Sequence, residues 1–156
     1  MLKNAYPSFL ASFTMIELKK EYDQYGLKMI LTGDWEQGSA GPVNYPAIEE
    51  AILDAKRKGI FPNFFYDARK LKYEMSASIL SLIVIPRNIY GEYCPVTICA
   101  VDDKINDPKA TWKSISQHGW RGIAKYIAGH EEASGKKILY FNYDEAIESY
   151  KKASEM

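Results

Sequence analysis

The segment from Ile79 to Ile85, Ile-Leu-Ser-Leu-Ile-Val-Ile, constrains the fold of this chain more than any other. Read as a helix it is apolar nearly all round, so it has to be covered on several sides. Each large side chain buried there contributes roughly 1.5–3 kcal/mol. The expected helix runs from about Ser76 to Ile85 and stops at Pro86. Just upstream, Phe61 to Tyr66 reads as a strand that closes on Asp67, and the basic link Arg69-Lys70-Leu71-Lys72 joins the two. A buried strand, a polar turn and a buried helix in succession form the centre of a layered α/β domain.

The remaining elements fall into place around that centre. Phe13 to Leu18 and Leu27 to Leu31 alternate apolar and polar residues about Asp23-Gln24-Tyr25-Gly26, the pattern of a β-hairpin, with Gly33-Asp34 ending its second strand. Ala47, Ile48, Ala51, Ile52 and Ala55 make one helical stripe over Tyr45 to Lys58, followed by Gly59 at the left-handed cap position. Pro95 to Val101 reads as the next strand. Trp112, Ile115, Gly119, Ile123 and Ile127 have helical spacing with weak points at Gly119 and Gly122, and Glu131 to Lys137 reads as a polar loop. Ile138 to Phe141 is a short strand, and Asn142 with Glu145 starts a final helix through Lys151. The order β, β, α, β, α, β, α, β, α predicts an α/β fold with a mixed central sheet of about five strands and about four helices. One domain over residues 13–152 follows an N-terminal tail, residues 1–12.

Composition narrows the function. Twenty basic residues balance twenty acidic ones, so no global field favours a polyanion and nucleic acid is not an expected partner. No stretch approaches the about eighteen apolar residues of a membrane span. Cys94 and Cys99 lie on what reads as one strand and face opposite sides, so no disulfide is expected; free thiols without a signal peptide fit a cytoplasmic protein.

The candidate chemistry is sparse, and each feature also has a structural reading. Gly38-Ser39-Ala40-Gly41 precedes a helix but lacks the Gly-Lys-Ser/Thr ending of a P-loop. Asp67, at the end of a central strand, could serve as a base or ligand together with Asp102-Asp103, or simply cap a turn. His118 and His130 have no metal-ligand spacing, so no metal and no cofactor are expected. Ser76 and Ser78 at a helix start suit N-capping, and a phosphate would also be stabilised there. Tyr90, Tyr93, Trp112, Trp120 and Tyr126 could line a cavity for a small amphipathic ligand, or serve as ordinary packing.

In combination, these elements resemble the STAS superfamily of anti-sigma-factor antagonists, and most closely its SpoIIAA-like branch. The resemblance rests on Leu31-Thr32-Gly33, on Phe65-Tyr66-Asp67-Ala68-Arg69, on the serine-bearing helix start, on Val96 to Val101 and on Tyr140 to Ala146. It covers about residues 13 to 152. In STAS regulators the second helix opens on an Asp-Ser-Ser-Gly-like sequence whose first serine is phosphorylated by a partner kinase. Met75, Ser76, Ala77 and Ser78 stand at those four positions, and Ser76 matches. The resemblance implies a non-catalytic regulatory or adaptor module that works by protein contact, with Asp67, Ser76 and Ser78 on the contact surface and room for a homodimer. The alternative it implies is a carrier or sensor of a lipid-like ligand; an enzyme using strand-end carboxylates is the third reading.

Overall fold

The computed structural model describes residues 16–35, 45–72, 77–102 and 119–155. Strands β1 (Ile16–Asp23) and β2 (Gly26–Asp34) form the expected hairpin, with Asp23 opposite Gly26 across a two-residue turn. Asp23 shapes that turn: its Oδ1 accepts hydrogen bonds from the backbone N–H groups of Tyr25 (2.8 Å) and Gly26 (3.0 Å). Gly26 is required here because its φ is 146° and an added Cβ would lie 2.1 Å from the carbonyl oxygen of Asn63.

Helix α1 (Tyr45–Arg57) leads to β3 (Phe64–Lys72). A 3₁₀ turn (Ala77–Leu80) opens directly into α2 (Ser81–Tyr90), which precedes β4 (Val96–Cys99). Helix α3 (Gly119–Ser134), β5 (Leu139–Tyr140) and α4 (Tyr143–Ala153) complete the order. The result is an α/β fold with one five-stranded mixed sheet in the order β1-β2-β3-β4-β5. β1 is antiparallel to β2, and every later pairing is parallel.

This topology decides where the helices go. From β2 to β5 each crossover steps in the same direction, so right-handed connections put α1, α2 and α3 on one face. Ile48, Ile52, Leu82, Ile83, Ile123 and Ile127 from those helices join Leu27, Met29, Leu31, Phe64 and Tyr66 in one buried core. Helix α4, following the last strand, packs on the opposite face, where Ala146 and Tyr150 meet Phe65 and Cys99. In the α1 stripe Ile48, Ala51, Ile52 and Ala55 are buried and Ala47 is exposed; Gly59 takes φ 69°, as its position past the helix implies.

Several boundaries differ from the sequence expectation, for identifiable reasons. Pro86 does not stop α2 but lies inside it, buried, and the helix continues to a left-handed cap at Gly91, whose N–H donates to the carbonyl of Arg87 (2.9 Å). A proline here removes one helical hydrogen bond; burial of Leu82, Ile83, Ile85 and Pro86 itself offsets that loss. Helix α3 runs through Glu131 to Ser134, which the sequence reading assigned to a loop. Glu131 is held in place from outside the helix: its Oε2 accepts the N–H groups of Ile138 (2.7 Å) and Leu139 (3.1 Å). Cys94 and Cys99 are both free and buried in different cores, but only Cys99 lies in β4; Cys94 precedes the strand, so the two do not share one strand as expected.

Candidate functional site

Asp67 is not a strand terminus. It is the fourth residue of β3, which runs on to Lys72. What ends at Asp67 is the pairing with β4, whose last residue, Cys99, lies opposite it. Beyond that point, among the described residues, β3 pairs with β2 alone, and the register shifts: Ile30 pairs with Asp67 but Thr32 with Lys70, leaving one extra residue in β3. Such a bulge bends a strand and re-aims its side chains.

A charged clamp closes around the bulge. Asp67 Oδ1 accepts from the backbone N–H (3.2 Å) and Nε (2.9 Å) of Arg69, and Oδ2 accepts from Nη2 (2.9 Å). The guanidinium stacks over the Tyr143 ring at 3.9 Å, which ties the overhanging half of β3 to the start of α4. Burial pushes the Asp67 carboxyl up, but the hydrogen bonds and charge of Arg69 outweigh it and hold the group below its ordinary range. The Asp67 hydrogen bond in turn raises Arg69. The bidentate pair accounts for the polarity of Asp67.

The serines stand next along the chain. Ser76 lies outside the described residues, covalently adjoining Ala77 at the start of the 3₁₀ turn, and Ser78 belongs to that turn. The α-helical cap position is Leu80, with no side-chain cap, so the N-cap of α2 is not the serine expected there. The 3₁₀ turn displaces the α-helix start by several residues.

Of the aromatic residues read as a cavity, Tyr90 and Trp120 belong to or pack against the main core, and Tyr93 and Tyr126 are exposed. Tyr90 packs on Phe64 (5.6 Å between ring centroids) beside Lys56 of α1. Trp120 is buried in the main core, and Tyr126 is 54% exposed on α3. Tyr93 lies under the guanidinium of Arg87 (4.7 Å). Trp112, the Gly38 to Gly41 loop, Asp103 and His118 lie outside the described residues.

A cavity among the described residues lies on the other face. A groove of about 470 Å³ runs between α4 and the β4–β5 strands, lined by Tyr93, Pro95, Thr97, Ile138 and Tyr140 on one side and by Glu145, Glu148, Ser149 and Lys152 on the other. The hydroxyl of Tyr140 donates to Ser149 Oγ (2.8 Å), and Lys152 pairs with Glu148 (3.0 Å). Among the described residues, Tyr93 is the one sequence-predicted residue that borders it. A signal was present: Glu145, Glu148, Ser149 and Lys152 recur at three, four and seven residues and share one helix face.

The other shifted groups have structural causes. Hydrogen bonds from Tyr22, Lys58 and Lys20 hold Asp54 well below the carboxylate range. Burial raises the Tyr150 hydroxyl, which donates to Asp23 Oδ1 (2.8 Å). Burial also pushes both thiols up to about 11, so each stays protonated at neutral pH. Among the described residues no three His, Cys, Asp or Glu side chains are grouped to hold a metal ion, and no helix is long and apolar enough to cross a membrane. Compared with protein families, curated proteins and solved structures, the chain matches none.

Proposed function

We propose that this chain is a cytoplasmic, non-catalytic regulatory or adaptor module of STAS-like, SpoIIAA-like type, working through protein contact at the C-terminal edge of its sheet. The observation that carries this reading is the overhang of β3. Its second half runs past β4, is clamped by Asp67 and Arg69, and delivers the chain within residues 73–76 to the 3₁₀ turn that opens α2. Along the chain Ser76 lies four residues past the end of β3 and directly before the 3₁₀ turn that contains Ser78 and opens α2. A phosphate at Ser76 would add negative charge beside Arg69, Lys70 and Lys72 in the sequence, which is how a switch at this edge would alter a partner's fit. For the carrier alternative, Tyr93 borders the groove between α4 and the β4–β5 strands, whereas Tyr90 and Trp120 serve the main core and Tyr126 is exposed. The enzyme alternative draws none from Asp67, whose carboxylate is committed to Arg69.

The test is affinity purification of the intact chain from its own host in three forms, wild type, Ser76→Ala and Ser76→Asp, with phosphopeptide mapping of the wild type. The expected result is one protein partner held by the wild type and Ser76→Ala and lost, or strongly weakened, with Ser76→Asp. A partner indifferent to both changes, with an unmodified Ser76, would remove the switch; a bare chain carrying a small molecule would replace the reading altogether.

A further inference from the structure

Helix α4 runs antiparallel to the strands it covers. Its first residue, Tyr143, stacks on Arg69 in the second half of β3, whereas the carbonyl of Tyr150, near its end, accepts from Nδ2 of Asn63, the residue before β3 (2.7 Å). The groove between α4 and the β4–β5 strands therefore has two chemically different ends. Glu145 lies toward the C-terminal ends of the strands, and Lys152, with Lys136 and Lys137 ahead of β5, lies toward the other end. The helical rise from Glu145 to Lys152 is about 10 Å. Not all of these charges are used within the chain. Glu148 pairs with Lys152 (3.0 Å), but among the described residues no cation pairs with the Glu145 carboxylate and no carboxylate pairs with Lys137, whose Nζ lies over the Tyr140 ring (4.7 Å). Thr97 adds a third polar group. Its neighbours Val96 and Ile98 belong to the main core, so Thr97 points the other way, into the groove beside Ile138. The residue is 3% exposed, and its hydroxyl has no hydrogen-bond partner among the described residues, whereas buried hydroxyls are ordinarily bonded.

We propose that this groove binds a short linear zwitterion, a free tripeptide, with its terminal ammonium at Glu145, its terminal carboxylate at Lys137 and the Thr97 hydroxyl as a hydrogen-bond donor along its length. Length selects this occupant. An extended chain of three residues spans about 10 Å, which matches the separation of the two ends, whereas a single amino acid carries both charges on one carbon. Charge sets its direction, because a reversed peptide would place like charges together at both ends. The volume of about 470 Å³ is that of a small-molecule site, and Tyr93, Pro95 and Ile138 supply apolar lining for short side chains. Opposite charges on one groove, which count against a ligand of either single sign, are what a zwitterion requires. The site shares no residue with the proposed contact surface around Ser76 and does not depend on the STAS-like reading.

The experiment is an amide NMR titration of the full chain with trialanine, with N-acetyl-trialaninamide, which lacks both charges, and with alanine. Saturable shifts at Thr97, Ile138 and Glu145 are expected with trialanine and not with the other two. Glu145→Gln and Lys137→Gln alter exposed side chains and preserve the fold; each should weaken trialanine binding about fivefold, the scale of an exposed ion pair. Thr97→Val should weaken it severalfold while melting at or above the wild-type temperature, because the group removed has no partner within the chain. Absence of saturable shifts with trialanine overturns the proposal, as do equal shifts with the blocked peptide or with alanine, and as does unchanged affinity in either charge variant. A Thr97→Val protein that melts below the wild type and binds trialanine equally well is also contrary, since it would give the hydroxyl a purely internal role.

Discussion

The two faces of the sheet are held by different means. Under α1, α2 and α3 the core is large, with branched aliphatic side chains such as Ile48, Ile52, Leu82, Ile83, Ile123 and Ile127 packed around Trp35, Phe64, Tyr66 and Trp120. Under α4 the core is small and aromatic, with Phe65 packed edge-on against Tyr150 (5.5 Å) and Tyr143 (6.1 Å). Polar ties complete it. Asn63 Nδ2 donates to the carbonyls of Tyr25 (3.0 Å) and Tyr150 (2.7 Å), and Tyr150 donates to Asp23. The first face is dominated by a large apolar core with polar ties at its margin, from Tyr22 and Lys20 to Asp54 and from Lys56 to the carbonyl of Ile89; on the second a small core is completed by long-range bonds, and the charged clamp and the groove both belong to it. A face that carries polar contact surfaces cannot be closed by aliphatic packing alone.

The largest effect is expected in the aliphatic core: Ile52→Ala should cost about 2–5 kcal/mol in chemical denaturation, without changing any bond under α4. Asn63→Ala should cost about 1–3 kcal/mol, because two buried carbonyls lose their donor; a cost as large as that of Ile52→Ala would show that the polar tie dominates. The cysteines report the same difference kinetically. Both thiols are protonated and buried, so labelling needs local opening, and Cys99 under α4 should react about tenfold faster than Cys94 in the main core. Equal rates would mean that the two faces open together.

The smallest effect concerns acid. Asp67 has a folded pKa below its ordinary value, so its contribution is fully present above about pH 4 and is lost as pH falls through the folded value. The stability gap between wild type and Asp67→Asn should therefore narrow below about pH 4. Because the pair is partly exposed, that gap is expected to be small even at neutral pH. A gap that widens on acidification would contradict the direction assigned to Asp67.

The same physical difference explains what was legible in the sequence. The hairpin, α1, the order of elements and the mixed sheet follow from periodicity and turn chemistry, because the aliphatic face is written in local spacing. Ile48, Ala51, Ile52 and Ala55 are buried as their spacing implies. The rest was set by distant partners. Nothing near Asp67 in sequence shows that β4 stops opposite it while β3 continues. Nothing near Glu131 shows that its carboxylate serves β5 and keeps the last turn of α3 helical. Pro86 read as a stop because local rules do not weigh the burial on both sides of it. The groove is not marked by any apolar stripe: its α4 side is the polar series Glu145, Glu148, Ser149 and Lys152, which by spacing alone is an ordinary solvated helix face.

The central claim, that the clamped C-terminal edge is the regulatory contact surface, is tested most directly by amide hydrogen exchange on the chain alone and in complex with the captured partner. Protection gained over residues 66–90, with α4 exchanging as in the free chain, is the predicted result. Protection confined to residues 136–153, with the β3 overhang and α2 unchanged, would contradict it and move the contact to the opposite side of α4.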